Sequence, residues 1–509
     1  MLEHLGAALA NVFVPMHILI ILVGITAGII IGAIPGLTAT MALALLVPFT
    51  FAMPVIEALL LLGAVLVGSR YGGAIPAILL NIPGTPADIA TTLDGYPLSK
   101  KGKAEHALIA AAFSSSLGAV VGGVFLLFFA PLMTVVAVSF GPPEYFWVAI
   151  FGLTIIATLA SKSIVKGLMG GTLGLLLGTI GIAPIGGDLR FTFDFWQLQA
   201  GLQFIVALIG FFCIPEIFNI VEKKIAKVKN NDLFKPQKGV VLAVIKELLA
   251  KPGLLLRSSG IGILIGIIPG TGGNISALVA YNEAVRFSKK PEEFGKGNLE
   301  GVAAAETSTN AEAAGSMVPM LTLGLPGSPP TAVIMGALML QGLRPGPDLF
   351  NEFAVVTYTF IFSLIFGGIA LFFLAAYFSR YIARVINIPA EYLVPIIVFM
   401  CVIGSYAIRN NILDVYIMLL FGLVGYITKK LGFHPGPIVL GLILGTIAEN
   451  ALVQSILMGQ AQGDMLAMFF GRPISGVLIV MCIISAAWPF IAEWRRKKKK
   501  QPEEGNNDS

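Results

Sequence analysis

Gly28-Ile-Ile-Ile-Gly32-Ala-Ile-Pro35-Gly36 returns later in the chain as Gly262-Ile-Leu-Ile-Gly266-Ile-Ile-Pro269-Gly270, at an offset of 234. Each copy is an apolar run with spaced glycines that ends on a Pro-Gly break. Proline removes a helical N–H and glycine admits a turn, so each pair marks an interruption. Two more matches follow in the same order. Ile75-Pro76 with Asn81-Ile-Pro83-Gly84-Thr85-Pro86 reads against Val318-Pro319 with Gly324-Leu-Pro326-Gly327-Ser328-Pro329, offset 243. Pro142-Pro-Glu144-Tyr145 reads against Pro389-Ala-Glu391-Tyr392, offset 247. A kept order with a slowly growing offset is the mark of an internal duplication with small insertions.

The medium around these runs follows from composition. Of 509 residues, 56% are hydrophobic and 12% are charged, whereas a soluble domain runs near 25% charged. A soluble chain of this size could not hide so much apolar surface. Stretches such as Ala107–Ala130, Gln197–Ile220, Phe353–Phe378 and Ile474–Ala492 have the length of membrane spans, which need about 20 predominantly apolar residues. The fold class expected is an all-α polytopic membrane protein sitting in a lipid bilayer. The net charge of +5 resides in short loops and in the tail Trp494-Arg495-Arg496-Lys497-Lys498-Lys499-Lys500. That is how cytoplasmic loops look, and it points to no nucleic-acid partner. Cys213, Cys401 and Cys482 lie far apart in apolar stretches, with neither a disulfide framework nor metal-ligand spacing. His4, His17, His106 and His434 show no ligand spacing either. The start of the chain lacks the basic region of a cleaved leader, and Gln501–Ser509 reads as a disordered polar end.

Basic residues orient the two halves. Residues 49–57 carry no Lys or Arg and 286–298 carry four; 95–106 carry three and 341–352 carry one. Residues 131–144 carry none and 378–391 two; 161–167 carry two and 408–411 one; 181–195 carry one and 429–436 two; 222–238 carry six and 455–473 one. The richer partner alternates between halves at every step, nineteen basic residues against four. Basic loops stay in the cytoplasm, so the halves have opposite topology, a common transporter design. Ser258–Val285 is then flanked by cytoplasmic charge on both sides. Its arms, about 12 residues or roughly 18 Å each, are too short for the ~30 Å core. A re-entrant helical hairpin is expected there, with a counterpart around 18–50. The expected layout is repeat 1 over 1–222, a basic cytoplasmic linker at 223–257, and repeat 2 over 258–455. A final helix at 474–493 and a cytoplasmic tail at 494–509 complete it. The total is about eleven spans and two hairpins.

The breaks are the candidate site. Thr85-Pro86 and Ser328-Pro329 read as a helix N-cap followed by proline at the first helical position. Each restarts a helix inside the membrane, where free N–H groups and the positive end of the dipole suit an anion. A lone break more often gives packing or a kink; four at symmetry-paired positions favour a site. The residues expected near an anionic substrate are Gly36, Thr38, Asn81, Gly84, Thr85, Gly270, Thr271, Gly272, Asn274, Gly327 and Ser328. Glu300 to Ser316 is dense in hydroxyl, amide and carboxylate groups and runs into an apolar segment. Such groups must face protein or water. Thr307, Ser308, Thr309 and Asn310 are the candidates for a coupling cation, Na⁺ or H⁺, against a bland reading as a polar packing face. Asp88 reads as the acidic member of a capping box with Thr85. Glu449-Asn450 reads as structural. No phosphate-binding loop, nucleophile motif or metal cluster is visible, so neither a nucleotide-driven pump nor an enzyme is expected, and no catalytic residue, metal or cofactor is assigned.

Gly32-Ala-Ile-Pro35-Gly36, Tyr71-Gly72-Gly73, Asn81-Ile-Pro83-Gly84, Asp94-Gly95-Tyr96-Pro97-Leu98, and the run from Glu300-Gly301-Val302 to Leu321-Thr322-Leu323-Gly324-Leu325-Pro326-Gly327-Ser328 resemble the TctA family. These are the large membrane subunits of tripartite tricarboxylate transporters, and the resemblance covers nearly the whole chain. It implies a small four-helix membrane subunit and a periplasmic substrate-binding protein as partners. It also implies uptake of a di- or tricarboxylate with Na⁺ or H⁺ across the bacterial inner membrane. One departure stands out: Thr309-Asn310 occupies the place of two adjacent Asn residues usual in the family. The expected mechanism is alternating access, with the hairpins and broken spans moving elevator-like against a scaffold. A stand-alone ion-coupled exchanger and a non-transporting structural subunit are the rival readings.

Overall fold

A computed structural model of the chain describes residues 2–159, 164–222, 239–270, 272–385 and 390–487. The expected cytoplasmic tail, positions 223–238 of the basic linker, positions 488–493 of the final helix, and Thr271 lie outside the described residues. The first segment holds α1 (Leu2–Val12), α2 (Pro15–Gly32), α3 (Ala39–Thr50), α4 (Val55–Leu80), α5 (Ile89–Lys100), α6 (Ala104–Ala137) and α7 (Pro142–Leu159). Then come α8 (Ile164–Gly178), α9 (Phe204–Leu208) and α10 (Ile214–Glu222), the last two joined through a π-helical turn. Next are α11 (Val240–Leu249), α12 (Pro252–Ile267), α13 (Gly272–Phe287), α14 (Leu299–Leu323), α15 (Pro329–Leu340), α16 (Asp348–Asn351) and α17 (Ala354–Val385). Last are α18 (Ala390–Ala407), α19 (Ile412–Lys430), α20 (Pro435–Gln462), α21 (Met465–Phe470) and α22 (Pro473–Ala487). Among the described residues, β1 (Gly181–Ile182) and β2 (Leu189–Arg190) form one small antiparallel hairpin, and seven helices are long and apolar enough to cross a membrane.

The chain divides into two compact units. The larger comprises Met1–Ala137 and Ile205–Tyr426. Its organisation rests on glycine seams. A methyl on Gly28 would lie 2.5 Å from the Val65 carbonyl oxygen, and one on Gly32 would lie 2.5 Å from that of Ser69. A methyl on Gly262 would lie 2.2 Å from the Ser308 carbonyl oxygen, and one on Gly266 would lie 2.5 Å from that of Glu312. Backbones this close tolerate only glycine, the packing of small-residue seams in membranes. Contacts ascend together along both helices, so α2 runs parallel to α4 and α12 parallel to α14. In the sequence, α3 and α13 lie between the members of the two pairs. The turns are made by Gly36 (φ +94°) in one case and by Gly270 (φ +82°) with Gly272 (φ +63°) in the other, a backbone region that side chains with a Cβ avoid.

The arms are longer than the charge pattern implies. α12 and α13 have 16 residues each, about 24 Å at 1.5 Å per residue; α12 starts five residues before Arg257, and α13 starts at Gly272 and ends one residue past Arg286. That length is still short of the ~30 Å core. The α2 arm, at 18 residues, is long enough to count among the seven.

The smaller unit comprises Val138–Phe204 and Ile427–Ser509. A methyl on Gly174 would lie 2.0 Å from the Ile438 carbonyl oxygen, so α8 and α20 also meet backbone to backbone. The buried Glu144 carboxylate ties α7 to the start of α22. It accepts from Gly141 N–H at 2.8 Å, Ser475 Oγ at 2.9 Å and Arg472 Nε at 3.0 Å.

Candidate substrate and ion site

All of the site lies in the larger unit. At the first break, α4 ends on Asn81 in the left-handed conformation, φ +59°. Gly84 donates its N–H to the Gly73 carbonyl at 3.3 Å. Thr85 gives both its N–H (2.6 Å) and its hydroxyl (2.8 Å) to Asp88 Oδ2. The chain does not re-enter an α-helix directly, as Thr85-Pro86 suggests; it makes a 3₁₀ turn over Pro86–Asp88 before α5. Asp88 performs the capping role read from its spacing. Gly73 opposite it has to be glycine, since a methyl there would lie 2.3 Å from Asp88 Oδ2.

The second break repeats this plan with different polarity. α14 ends on Gly324, φ +69°. Ser328 is the N-cap of α15, with prolines at its start, and its N–H donates to Thr331 Oγ1 at 2.9 Å. Here a hydroxyl stands where the first break has a carboxylate. Ser316 Oγ and Ser328 Oγ are 3.3 Å apart. Asn81 is exposed, whereas Gly324 to Ser328 is buried.

The tip of the α12–α13 hairpin meets both breaks. Gly270 donates its N–H to the Gly327 carbonyl at 2.8 Å. Gly273, in the first turn of α13, faces the first break: a methyl on it would lie 3.3 Å from Ala87 Cβ and 2.5 Å from the Arg70 guanidinium. Gly270, Gly327 and Ser328 thus come together, and Gly272 lies on the turn beside them. Asn274 is exposed on the same helical turn as Gly273. In the other hairpin, Thr38 caps α3 by accepting from Met41 N–H at 3.3 Å, while Gly36 faces Ile220 and Glu216 of α10.

The polar run of α14 is interior throughout. Glu306, Thr307, Ser308 and Glu312 are fully buried, and Thr309 and Asn310 nearly so. Thr309 Oγ1 and Asn310 Nδ2 both donate to the Glu306 carbonyl one turn back, at 3.1 Å. Each thus directs a donor at its own helix. Thr307 Oγ1 and Ser308 Oγ have no hydrogen-bond partner among the described residues. Glu306 accepts from Thr91 Oγ1 at 2.5 Å and Ser115 Oγ at 2.9 Å, joining α14 to α5 and α6. Among the described residues, no cluster of three His, Cys, Asp or Glu side chains is placed to hold a metal ion.

Sequence reading assigns no role to two further groups, although Asp94 belongs to the Asp94-Gly95-Tyr96-Pro97-Leu98 motif. Arg70, buried in α4, pairs with Glu312 of α14 at 2.9 Å. Asp94 of α5 accepts from Tyr281 Oη at 2.9 Å and from the N–H groups of Gly297 and Asn298 at 2.8 Å each. It ties α5, α13 and the entry to α14 together. The signal for Arg70 was its own sequence setting: an ionisable residue deep in a long apolar helix is a functional candidate by default.

Comparison with known proteins agrees with this architecture. The tripartite tricarboxylate transporter TctA family matches residues 18–440. An Agrobacterium vitis protein described as an uncharacterized 52.8 kDa protein in the TAR-I ttuC' 3' region is 33% identical over 506 residues, 98% of each chain. Another from that organism, described as an uncharacterized protein in the TAR-II ttuC' 3' region, is 36% identical over 237 residues. Those residues are 46% of this chain and 97% of that protein. No solved structure matches significantly. The long apolar helices, their backbone seams and the matched span together assign this chain to the tripartite tricarboxylate transporter TctA family, as a membrane component of a transporter.

Proposed function

We propose that this chain is the large subunit of a binding-protein-dependent carrier that imports a di- or tricarboxylate with Na⁺ or H⁺ by alternating access. The observation that carries the reading is the Gly270 to Gly327 hydrogen bond, with Gly273 against Ala87. One hairpin tip thereby lies at two helix breaks, where the positive ends of the restarting helices suit an anion. A small four-helix membrane subunit and a periplasmic binding protein complete the transporter. The two halves are inverted repeats making about eleven spans and two re-entrant hairpins in a bacterial inner membrane, with the C-terminus in the cytoplasm. Supporting the repeat are the paired seams of α2 on α4 and α12 on α14, and the matched left-handed helix ends at Asn81 and Gly324. Supporting the orientation is the alternation of basic loops. Thr307, Ser308, Thr309 and Asn310 are the cation candidates; Thr307 and Ser308 have unpaired hydroxyls, and Thr309 and Asn310 use hydrogens on their own helix and keep their side-chain oxygens for a cation.

The test is uptake of labelled di- and tricarboxylates into vesicles holding the complete complex, with an imposed Na⁺ or proton gradient. Gradient-dependent accumulation of at least one carboxylate is expected. Its absence with every binding protein tried would overturn the reading.

A further inference from the structure

We propose that Arg70 is the residue that binds the substrate carboxylate, and that Glu312 occupies it as a stand-in carboxylate when no substrate is bound. The inference rests on the carboxylate-transport reading above and names the group that does the recognising.

The pair is buried, with Arg70 8% exposed and Glu312 fully enclosed. A buried ion pair made for stability needs its remaining donors and acceptors satisfied, since unpaired polar atoms there are costly. This pair is joined by one contact, Arg70 NH2 to Glu312 Oε2 at 2.9 Å. Arg70 Nε and Glu312 Oε1 have no hydrogen-bond partner among the described residues. A guanidinium presents a planar fork that a carboxylate fills with two parallel bonds. Glu312 leaves that fork half used.

The surroundings fit an exchange of one carboxylate for another. Glycine at 273 lets the first turn of α13 approach the guanidinium; a methyl there would lie 2.5 Å from Arg70 NH1 and 3.3 Å from Glu312 Oε2. The positive end of a 16-residue helix and a fixed cation therefore meet at one point. Exposed Asn274 is on the same turn. An incoming carboxylate takes the guanidinium fork, and Glu312 is released from it.

The experiment compares uptake of citrate, tartrate and succinate by the complete complex in vesicles for wild type, the charge-swapped R70E/E312R, and E312Q. A purely structural pair is restored by the swap. A substrate-binding Arg70 is not, because the cation then stands on α14 instead of α4 and no longer presents its fork from the same side. Expected are wild-type accumulation in the membrane for the swap, with uptake down about a hundredfold, the loss of a buried charge-paired contact. E312Q removes the competing carboxylate, so its KM for the transported acid falls about threefold or more. Uptake by the swap within tenfold of wild type overturns the proposal and leaves the transport reading standing. If the swap does not accumulate, E312Q decides: a KM at or above wild type overturns it, and a lower KM supports it. A wild-type complex that imports none of the acids overturns both.

Discussion

The Gly270 N–H lies 2.8 Å from the Gly327 carbonyl, a direct main-chain bond between the tip of one hairpin and the break of a neighbouring helix. Nothing but glycine fits at the acceptor. A methyl on Gly327 would lie 2.6 Å from Ser316 Cβ and 2.9 Å from the Gly266 carbonyl oxygen. G327A is expected to force these apart, lowering stability by about 1–3 kcal/mol through overpacking and abolishing uptake. Thermal unfolding in detergent together with vesicle uptake checks both.

Asp94 offers a test of a different kind. Its carboxylate receives two backbone N–H groups and one phenol. D94N turns an amide NH₂ toward donors and should cost about 2–3 kcal/mol. Y281F removes one neutral donor and should cost about 1 kcal/mol. The ordering of their unfolding midpoints, with D94N the lower, is the measurable outcome.

Gly73 and Asp88 should couple. G73A alone drives a methyl to 2.3 Å from Asp88 Oδ2. In a D88A background that oxygen is gone. The double variant G73A/D88A should be less destabilised than the sum of the singles by about 1 kcal/mol or more, the size expected for residues in contact. Additive losses would show that the clash is relieved some other way.

In the smaller unit, Glu144 accepts three hydrogen bonds while fully buried. E144A leaves the Gly141 N–H, the Ser475 hydroxyl and Arg472 without that acceptor, and should cost about 3 kcal/mol. Because Glu144 is in a unit separate from the candidate site, the variant that still accumulates should keep the wild-type KM. A changed KM would count against a purely structural role.

Much of this organisation is legible in the sequence. The Pro-Gly pairs at 35–36, 83–84, 269–270 and 326–327 are breaks because these two residues interrupt helices by covalent necessity, whatever surrounds them. Asp88 was placed correctly because a capping box is local, fixed by a spacing of three. Helix lengths were less legible. Arg257 marks an end in the charge pattern, but α12 begins five residues earlier, at Pro252, whereas Arg286 does lie in the last turn of α13. A charged residue bounds what lies in lipid, not where the helix stops. Arg70 was hidden for another reason: its partner is 242 residues away, and no local pattern encodes that meeting. The Glu306 contacts to Thr91 and Ser115 are equally distant.

The glycine seams constrain how such a molecule can move. α12 meets α14 through main-chain atoms at Gly262 and Gly266, and α2 meets α4 the same way at Gly28 and Gly32. At these glycines the nearest neighbours are main-chain carbonyls, which no rotamer change can move aside. Each hairpin arm must therefore travel with the long helix it lies on, as a single lever. The long helices of both pairs end on left-handed residues, Asn81 and Gly324, and the main-chain joints lie before those ends.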